Sequence, residues 1–366
     1  MKFICEKNNL QEAISIVQKA VTGRSPMPIL EGIFLDASDN ELKFIGSDID
    51  LSIETTIKAS VIEPGRVVIN SKIFGEIIRK LPNDEVSIET AENDSIIITC
   101  QNSIFNITHL EANDFPMVPS INEDLVFGIP QGILKNMIRG TSFAVAVDET
   151  RPILTGILFE INDKMLNMVA LDGYRLAFRN EFIDNENSIN AVIPGKTLNE
   201  VVRILEDSNE NVDITFTKNH ILFNLGKTKI ISRLLEGEFI KYNSIIPQEF
   251  NLKVTVDKHK LQSSIERASL MVKEGNANLI KLDIQDESMV ITSNSQLGKV
   301  REEISINLQG SPIQIAFNSR YLLDVLKIME EDEVVMEFSS SVSPCIIKNK
   351  NKLNCKYLVL PVRLVK

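Results

Sequence analysis

The sequence predicts an α+β fold made of three tandem, like-folded domains. Three observations point to it: a length of 366 residues, a segment that recurs at a fixed spacing, and helix-periodic stretches set among many short alternating ones. Domains commonly hold roughly 100–150 residues, so two or three cores are expected. The clearest repeat is residues 69–81, matched by 193–205 and again by 317–329, each copy 124 residues after the last without a gap. Within it, Ser71-Lys72-Ile73-Phe74, Gly195-Lys196-Thr197-Leu198 and Ser319-Arg320-Tyr321-Leu322 are equivalent.

A second helix is predicted near the start of each third, over 10–21, 133–145 and 261–272, with apolar residues three and four apart. Leu10 with Ile14, Leu134 with Ile138 and Leu261 with Ile265 are equivalent pairs. Between and after the helices the pattern alternates, as over 42–45, 166–169 and 288–291, which reads as strand. Each third therefore holds two helices among many strands, and the order helix, strands, helix, strands suggests a further duplication inside it. Proline-marked stretches close the first two thirds, Asp114-Phe115-Pro116-Met117-Val118-Pro119 and Ile245-Ile246-Pro247-Gln248-Glu249. The expected domains are 1–120, 121–247 and 248–366. Tandem antiparallel sheets stay soluble only when their edge strands are paired or covered.

Composition narrows function. With 43% hydrophobic and 24% charged residues the balance is that of a globular protein, and no apolar run approaches the roughly 20 residues of a membrane span. The first residues show no secretory signal, so a cytoplasmic location is expected. Cys5, Cys100, Cys345 and Cys355 show no two-residue metal spacing and read as buried strand thiols. His109, His220 and His259 fall one to a third at non-equivalent positions. There is no phosphate loop, nucleophile elbow or ligand pair at metal spacing. Asp48, Asp50 and Asp172 at strand ends are read as turn formers. No enzyme, metal or cofactor is expected. A net charge of −11 excludes a protein that coats nucleic acid with its whole surface, but it leaves room for a local basic lining.

The repeated helix carries such a candidate lining. At about 100° per residue, apolar positions 73, 74, 77, 78 and 81 gather on the side opposite Lys72 and Arg79. The other copies keep the pair as Lys196 with Arg203 and Arg320 with Lys327. Two readings compete: bases that meet a phosphate backbone loosely, or helical salt bridges to Glu76, Glu200 and Asp324, four residues on. Aromatic residues are 6% and scattered, unlike the stacking platforms of single-strand binders.

These residues resemble the bacterial DNA polymerase III beta subunit family, the sliding clamps. The resemblance spans the chain and is carried by Leu171-Asp172-Gly173-Tyr174-Arg175-Leu176-Ala177, by Leu358-Val359-Leu360-Pro361-Val362-Arg363-Leu364, by Arg24 ahead of Pro26-Met27-Pro28-Ile29-Leu30, and by Asn318 with Tyr321. It implies a DNA clamp fold: a ring-shaped, head-to-tail homodimer around duplex DNA, helices lining a central hole and sheets outside. Arg24 would join the six helical bases facing DNA. Phe105 and Ile107 of the first domain would meet Leu270 and Met271 of the third domain of the other subunit.

The resemblance also implies a pocket for short motifs of the polymerase III catalytic subunit, the clamp loader and other clamp-binding proteins. Its residues would be Leu154, Leu171, Gly173, Tyr174, Arg175, Leu176, Ile240, Ile245, Asn318, Tyr321, Val342, Val359, Leu360, Pro361, Val362 and Arg363. Ile240 stands where many relatives have proline, Ser244 where arginine is common and Pro344 where serine can occur, departures that bear on the pocket rim. The rival reading, a repeat-built protein-interaction scaffold without a nucleic-acid role, shares the fold and differs in having no dependence on DNA topology.

Overall fold

In a computed structural model of the chain, residues 1–23, 25–121, 126–272, 278–296, 298–352 and 354–363 are described. Six α-helices occur among them: α1 (Lys7–Val17), α2 (Ser71–Lys80), α3 (Gln131–Ser142), α4 (Gly195–Ile204), α5 (Lys258–Ser269) and α6 (Ser319–Ile328). That is two to each third, as the repeat predicts. None is long and apolar enough to cross a membrane.

The recurring helix is set by its cap. Asn70 Oδ1 accepts from the Ile73 amide at 3.1 Å, and Asn318 Oδ1 accepts from the Arg320 amide at 3.0 Å. Pro82 follows the last residues of α2 and stops it. The opening helices sit about a turn earlier than expected. α5 starts at Lys258 because Asp257 caps it, accepting from the Lys260 amide at 2.8 Å. At their far ends the apolar spacing outruns the α-helix: the chain tightens into turns bonded three residues back, Val21 to Gln18, Ala144 to Thr141 and Val272 to Ser269.

The chain forms two compact units, residues 1–135 with 196–234, and residues 136–195 with 235–366. In the first, thirteen strands form one antiparallel sheet in which Leu51–Lys58 of the first third pairs with Thr228–Arg233 of the middle third, Ile53 opposite Ile230. In the second unit, a nine-stranded sheet repeats the arrangement. Arg175–Phe182 pairs with Cys355–Val359, Leu176 opposite Leu358. A separate four-stranded sheet of this unit runs Gly298–Ser305, Ser288–Ser295, Leu279–Ile284, Ile313–Asn318. Alternation decides which face is covered: in Leu279–Ile284, Ile280, Leu282 and Ile284 are buried while Lys281 and Asp283 between them are only partly so.

All four cysteines are free, buried and on strands, as expected. Burial, with Glu6 nearby, pushes the Cys5 thiol up to about 11. Two of the three strand-end aspartates form turns: Asp48 accepts from the Leu51 amide at 2.8 Å, and Asp172 from the amides of Tyr174 and Arg175 at 2.9 and 3.0 Å, while the Asp50 carboxylate lies 3.7 Å from Arg233.

Gly46 marks a close approach of helix and sheet in the first unit. A Cβ there would lie 2.2 Å from the carbonyl oxygen of Val17 at the end of α1. Overpacking of this kind costs about 1–3 kcal/mol. Gly46→Ala is therefore expected to lower the first thermal transition by several degrees with far-UV circular dichroism unchanged, and an unshifted transition would show that α1 moves away freely.

Candidate functional site

The second unit carries an open cavity of about 520 Å³. The pairing of Leu176 with Leu358 builds its floor, joined by Leu171 and Leu154, and all four are nearly buried. Leu154 comes from the 3₁₀ turn Pro152–Thr155, and the connector after residue 235 adds Ile240 and Ile245, both partly exposed. Beneath the floor lies a continuous apolar cluster including Leu158, Val169, Phe239 and Ile346. The end of the chain is stitched down: the Leu360 amide donates to the Tyr174 carbonyl at 2.9 Å and the Val362 amide to the Ala316 carbonyl at 2.8 Å.

One rim is polar and organised around Arg175. Its Nε donates to Asp172 Oδ2 at 2.9 Å and its Nη1 to Asp324 Oδ2 at 2.6 Å. The guanidinium lies 4.7 Å from the ring centroid of Tyr321 and 5.3 Å from that of Phe143. Tyr321 in turn stacks on Tyr174, centroids 6.1 Å apart, and Tyr174 is 60% exposed. Burial and the neighbouring Asp172 carboxylate both raise the Tyr321 phenol above its ordinary value. Gly173, at φ +89°, supplies the left-handed residue that turns Asp172 back onto the Tyr174 and Arg175 amides.

Nine of the sixteen residues expected at the pocket line this cavity: Leu154, Leu171, Gly173, Tyr174, Arg175, Leu176, Ile240, Ile245 and Leu360. Asn318, Tyr321, Val342, Pro361, Val362 and Arg363 are not part of its lining, though Tyr321 touches it through Tyr174 and Arg175. Val359 is fully buried within its strand, opposite Arg175 and Cys345, because strand alternation turns it away from the face that Leu358 and Leu360 share. Ala146, Asp148, Thr150, Arg151, Asp172 and Leu358 also line the cavity and were missed. Asp172 and Leu358 stood inside the quoted stretches. Thr150 and Arg151 precede Pro152-Ile153-Leu154 as Pro26 and Met27 precede Pro28-Ile29-Leu30, 124 residues earlier, so the repeat itself carried that signal.

Lys72, Arg79, Lys196, Arg203, Arg320 and Lys327 are all exposed. Of the helical salt bridges that formed the competing reading, one is made, by Glu200, and it is to Arg203 rather than to the base four residues before it. Asp324 turns to Arg175, Glu200 meets Arg203 at 2.9 Å, and Lys196 reaches Asp48 at 2.7 Å. Lys72, Arg79, Arg320 and Lys327 make no salt bridge with another described residue. The buried side of α2 is corrected as well: Ile73 is 49% exposed, and Ser71, Phe74 and Ile78 face inward. On the inward side the Gln18 side-chain amide donates to the Ser71 carbonyl at 2.7 Å and occupies the space over Gly75. Arg24 lies outside the described residues. Phe105 is 37% and Leu270 54% exposed, with Ile107 and Met271 partly so.

Among the described residues no three His, Cys, Asp or Glu side chains cluster as a metal site. Repeated sheets, helices bearing exposed bases at equivalent positions and an open apolar cavity define a repeat-built binding protein. Comparison with known proteins makes this specific. Residues 1–119 match the N-terminal domain, 128–241 the central domain and 243–363 the C-terminal domain of the DNA polymerase III beta subunit. The chain is 39% identical to the beta sliding clamp of Bacillus subtilis over 99% of this chain and 100% of the relative. It is 37% identical to that of Staphylococcus epidermidis over 99% of each. The crystal structure of the Bacillus subtilis DNA polymerase sliding clamp superposes with a TM-score of 0.97 at 39% identity, covering 100% of both chains. A Pseudomonas aeruginosa sliding clamp bound to griselimycin gives 0.95 at 28% identity, again over 100% of both. The chain belongs to the DNA polymerase III beta subunit family and has its three-domain clamp fold.

Arg175→Ala would leave Asp172 and Asp324 facing each other unpaired. Removing one partner of a fully buried pair costs roughly 3–5 kcal/mol, and the 28% exposure of the Asp324 side chain brings the expectation to about 2–3 kcal/mol. Urea unfolding of Arg175→Ala against Arg175→Lys checks it. Lysine restores charge without the planar fork and should recover only part of the loss.

Proposed function

We propose that this chain is a processivity factor: a ring-shaped homodimer that encircles duplex DNA and tethers the replicative polymerase and other replication and repair proteins through the cavity around Leu176. Each subunit contributes three domains, 1–120, 121–247 and 248–366. The observation that carries the reading is the recurrence of exposed bases on the same helix of all three repeats, in a chain of this family whose net charge is −11. Scattered around a hole, Lys72, Arg79, Lys196, Arg203, Arg320, Lys327 and Arg24 meet phosphates without reading bases, so the ring holds by enclosure and slides. The acidic remainder keeps the outer surface off DNA.

Closure follows from unpaired sheet edges. Ser103–Leu110 meets Gly65–Asn70 only through His109 and Leu110, which leaves most of that edge open beside Phe105 and Ile107. Among the described residues Gly298–Ser305 pairs on one side only, with Ser288–Ser295. Open edges demand cover. A head-to-tail contact of Phe105 and Ile107 with Leu270 and Met271 of the second copy provides it, and two such contacts close a ring.

The pocket takes the apolar anchors of an extended peptide from the polymerase III catalytic subunit, the clamp loader and other partners. Asn318, Tyr321, Val342, Pro361, Val362 and Arg363 extend the same surface beyond the cavity. The protein works in the cytoplasm, needs no cofactor and catalyses nothing itself; an ATP-driven loader opens the ring.

The test is retention after loading on a nicked circle, compared with the same DNA cut once. Retention on the circle with run-off from the linear form is expected. Equal retention on both, with loading confirmed, would replace this reading with contact binding or a scaffold. For the pocket, Leu176→Ala with Leu360→Ala should weaken a leucine- and phenylalanine-anchored peptide at least about tenfold, with the dimer intact by light scattering. Unchanged affinity in that titration would remove the pocket assignment.

A further inference from the structure

Two clusters in the chain are copies of one another. In the first unit Leu30, Phe34, Ile45, Val68, Phe115 and Val118 pack together. In the second, the residues 124 positions on do the same: Leu154, Leu158, Val169, Val192, Phe239 and Tyr242. A polar element held by Glu160 distinguishes the second copy from the first. Glu160 Oε2 accepts the Tyr242 hydroxyl at 2.6 Å and the Asn167 side-chain amide at 3.1 Å. Their counterparts are Asp36, Val118 and Lys43. Asp36 pairs with Arg66 at 2.8 Å, Lys43 pairs with Glu54 at 2.7 Å, and Val118 has no polar side-chain atom.

The connectors differ as well. From Phe115 to Pro119 the first takes four steps, and from Phe239 to Pro247 the second takes eight. Tyr242 stands near the middle of the longer one. Its side chain is buried, with its ring 5.9 Å from that of Phe178, and its carbonyl accepts from the Ile245 amide at 3.0 Å. Two residues before it and three after it come Ile240 and Ile245, the connector's contribution to the cavity wall, 37% and 38% exposed. Apolar side chains left that exposed do not fix their own position, so the backbone that carries them must be held elsewhere. Tyr242 is the buried hold between them. Burial and the hydrogen-bonded Glu160 carboxylate raise its phenol well above the ordinary value, so it remains a donor through the neutral pH range.

We propose that Tyr242, through its hydrogen bond to Glu160, is a positioning residue that sets the wall formed by Ile240 and Ile245 and thereby the affinity for the peptide anchor that lies against it. The inference rests on the pocket reading given above. A wall held in place before binding spares the peptide the entropy of ordering it.

The test uses the full-length dimer and a fluorescein-labelled peptide with one leucine and one phenylalanine anchor, together with versions in which either anchor is cut to alanine. Tyr242→Phe should weaken the full peptide by about fivefold, the weight of one ordinary hydrogen bond. With the peptide lacking the anchor that meets the wall, the effect should shrink to less than about twofold, a coupling that general destabilisation would not produce. Glu160→Gln keeps an acceptor and should bind within about twofold of the native protein, whereas Glu160→Leu should behave as Tyr242→Phe does. Native affinity in Tyr242→Phe, or an equal loss for all three peptides, overturns the proposal. If the Leu176→Ala, Leu360→Ala protein still binds the full peptide normally, it is the pocket reading that fails; if that protein loses binding while Tyr242→Phe does not, this inference fails alone.

Discussion

The antiparallel pairing of Arg175–Phe182 with Cys355–Val359 is the interaction on which the candidate site depends. It joins a strand of the middle third to one near the end of the chain and sets Leu176 opposite Leu358. A slip of one residue would turn every side chain of the strand to the other face, moving Leu358 off the floor and bringing Val359 onto it. The register is guarded from both ends. Asp172 binds the Tyr174 and Arg175 amides where the strand begins, and the Leu360 amide bonds to the Tyr174 carbonyl where its partner ends.

That pairing also explains why a charged side chain can border an apolar floor. A guanidinium taken partly out of water needs its donors satisfied and its charge balanced. Arg175 gives two of its donors to Asp172 and Asp324, whose carboxylates balance its charge, and its faces are covered by Tyr321 and Phe143. The consequence reaches α6. Asp324 occupies the position that, in a simple helical ladder, would bridge Arg320, and its commitment to Arg175 leaves Arg320 free to face solvent. One local choice therefore organises the cavity rim and releases a base on the helix.

Much of this was legible in the sequence because repetition is a property of the sequence itself. Three copies of one helix at an identical spacing identified the helices and the number of repeats, and with alternation between them the fold class. The stretches around Leu171 and Leu358 held most of the cavity floor. What was not legible depended on packing between distant segments. Helical spacing places Ile73 inward, but it cannot contain Gln18, a residue of another segment that bonds to the Ser71 carbonyl and packs over Gly75 on the inward side of α2. Spacing likewise suggests salt bridges along each helix and cannot foresee that Arg175 and Asp48 take two of the members away. Strand alternation, counted from Leu358, turns Val359 to the other face of its strand, where it is buried.

The duplicated junctions differ at two facing positions. Leu171 and Leu176 stand where the first unit has Ser47 and Ser52. The two serines are buried, and their hydroxyls bond to each other at 2.8 Å, so they satisfy themselves and present no apolar surface for a partner to cover. The two leucines have no such recourse, and with Leu358 and Leu360 they leave an apolar floor whose burial is favourable only when something else covers it. The same backbone pairing thus carries a hydrogen-bonded serine pair in one unit and the leucine floor of a cavity in the other. Duplication supplies the frame, and a change from hydroxyl to isobutyl at two facing positions decides which copy carries the leucine floor.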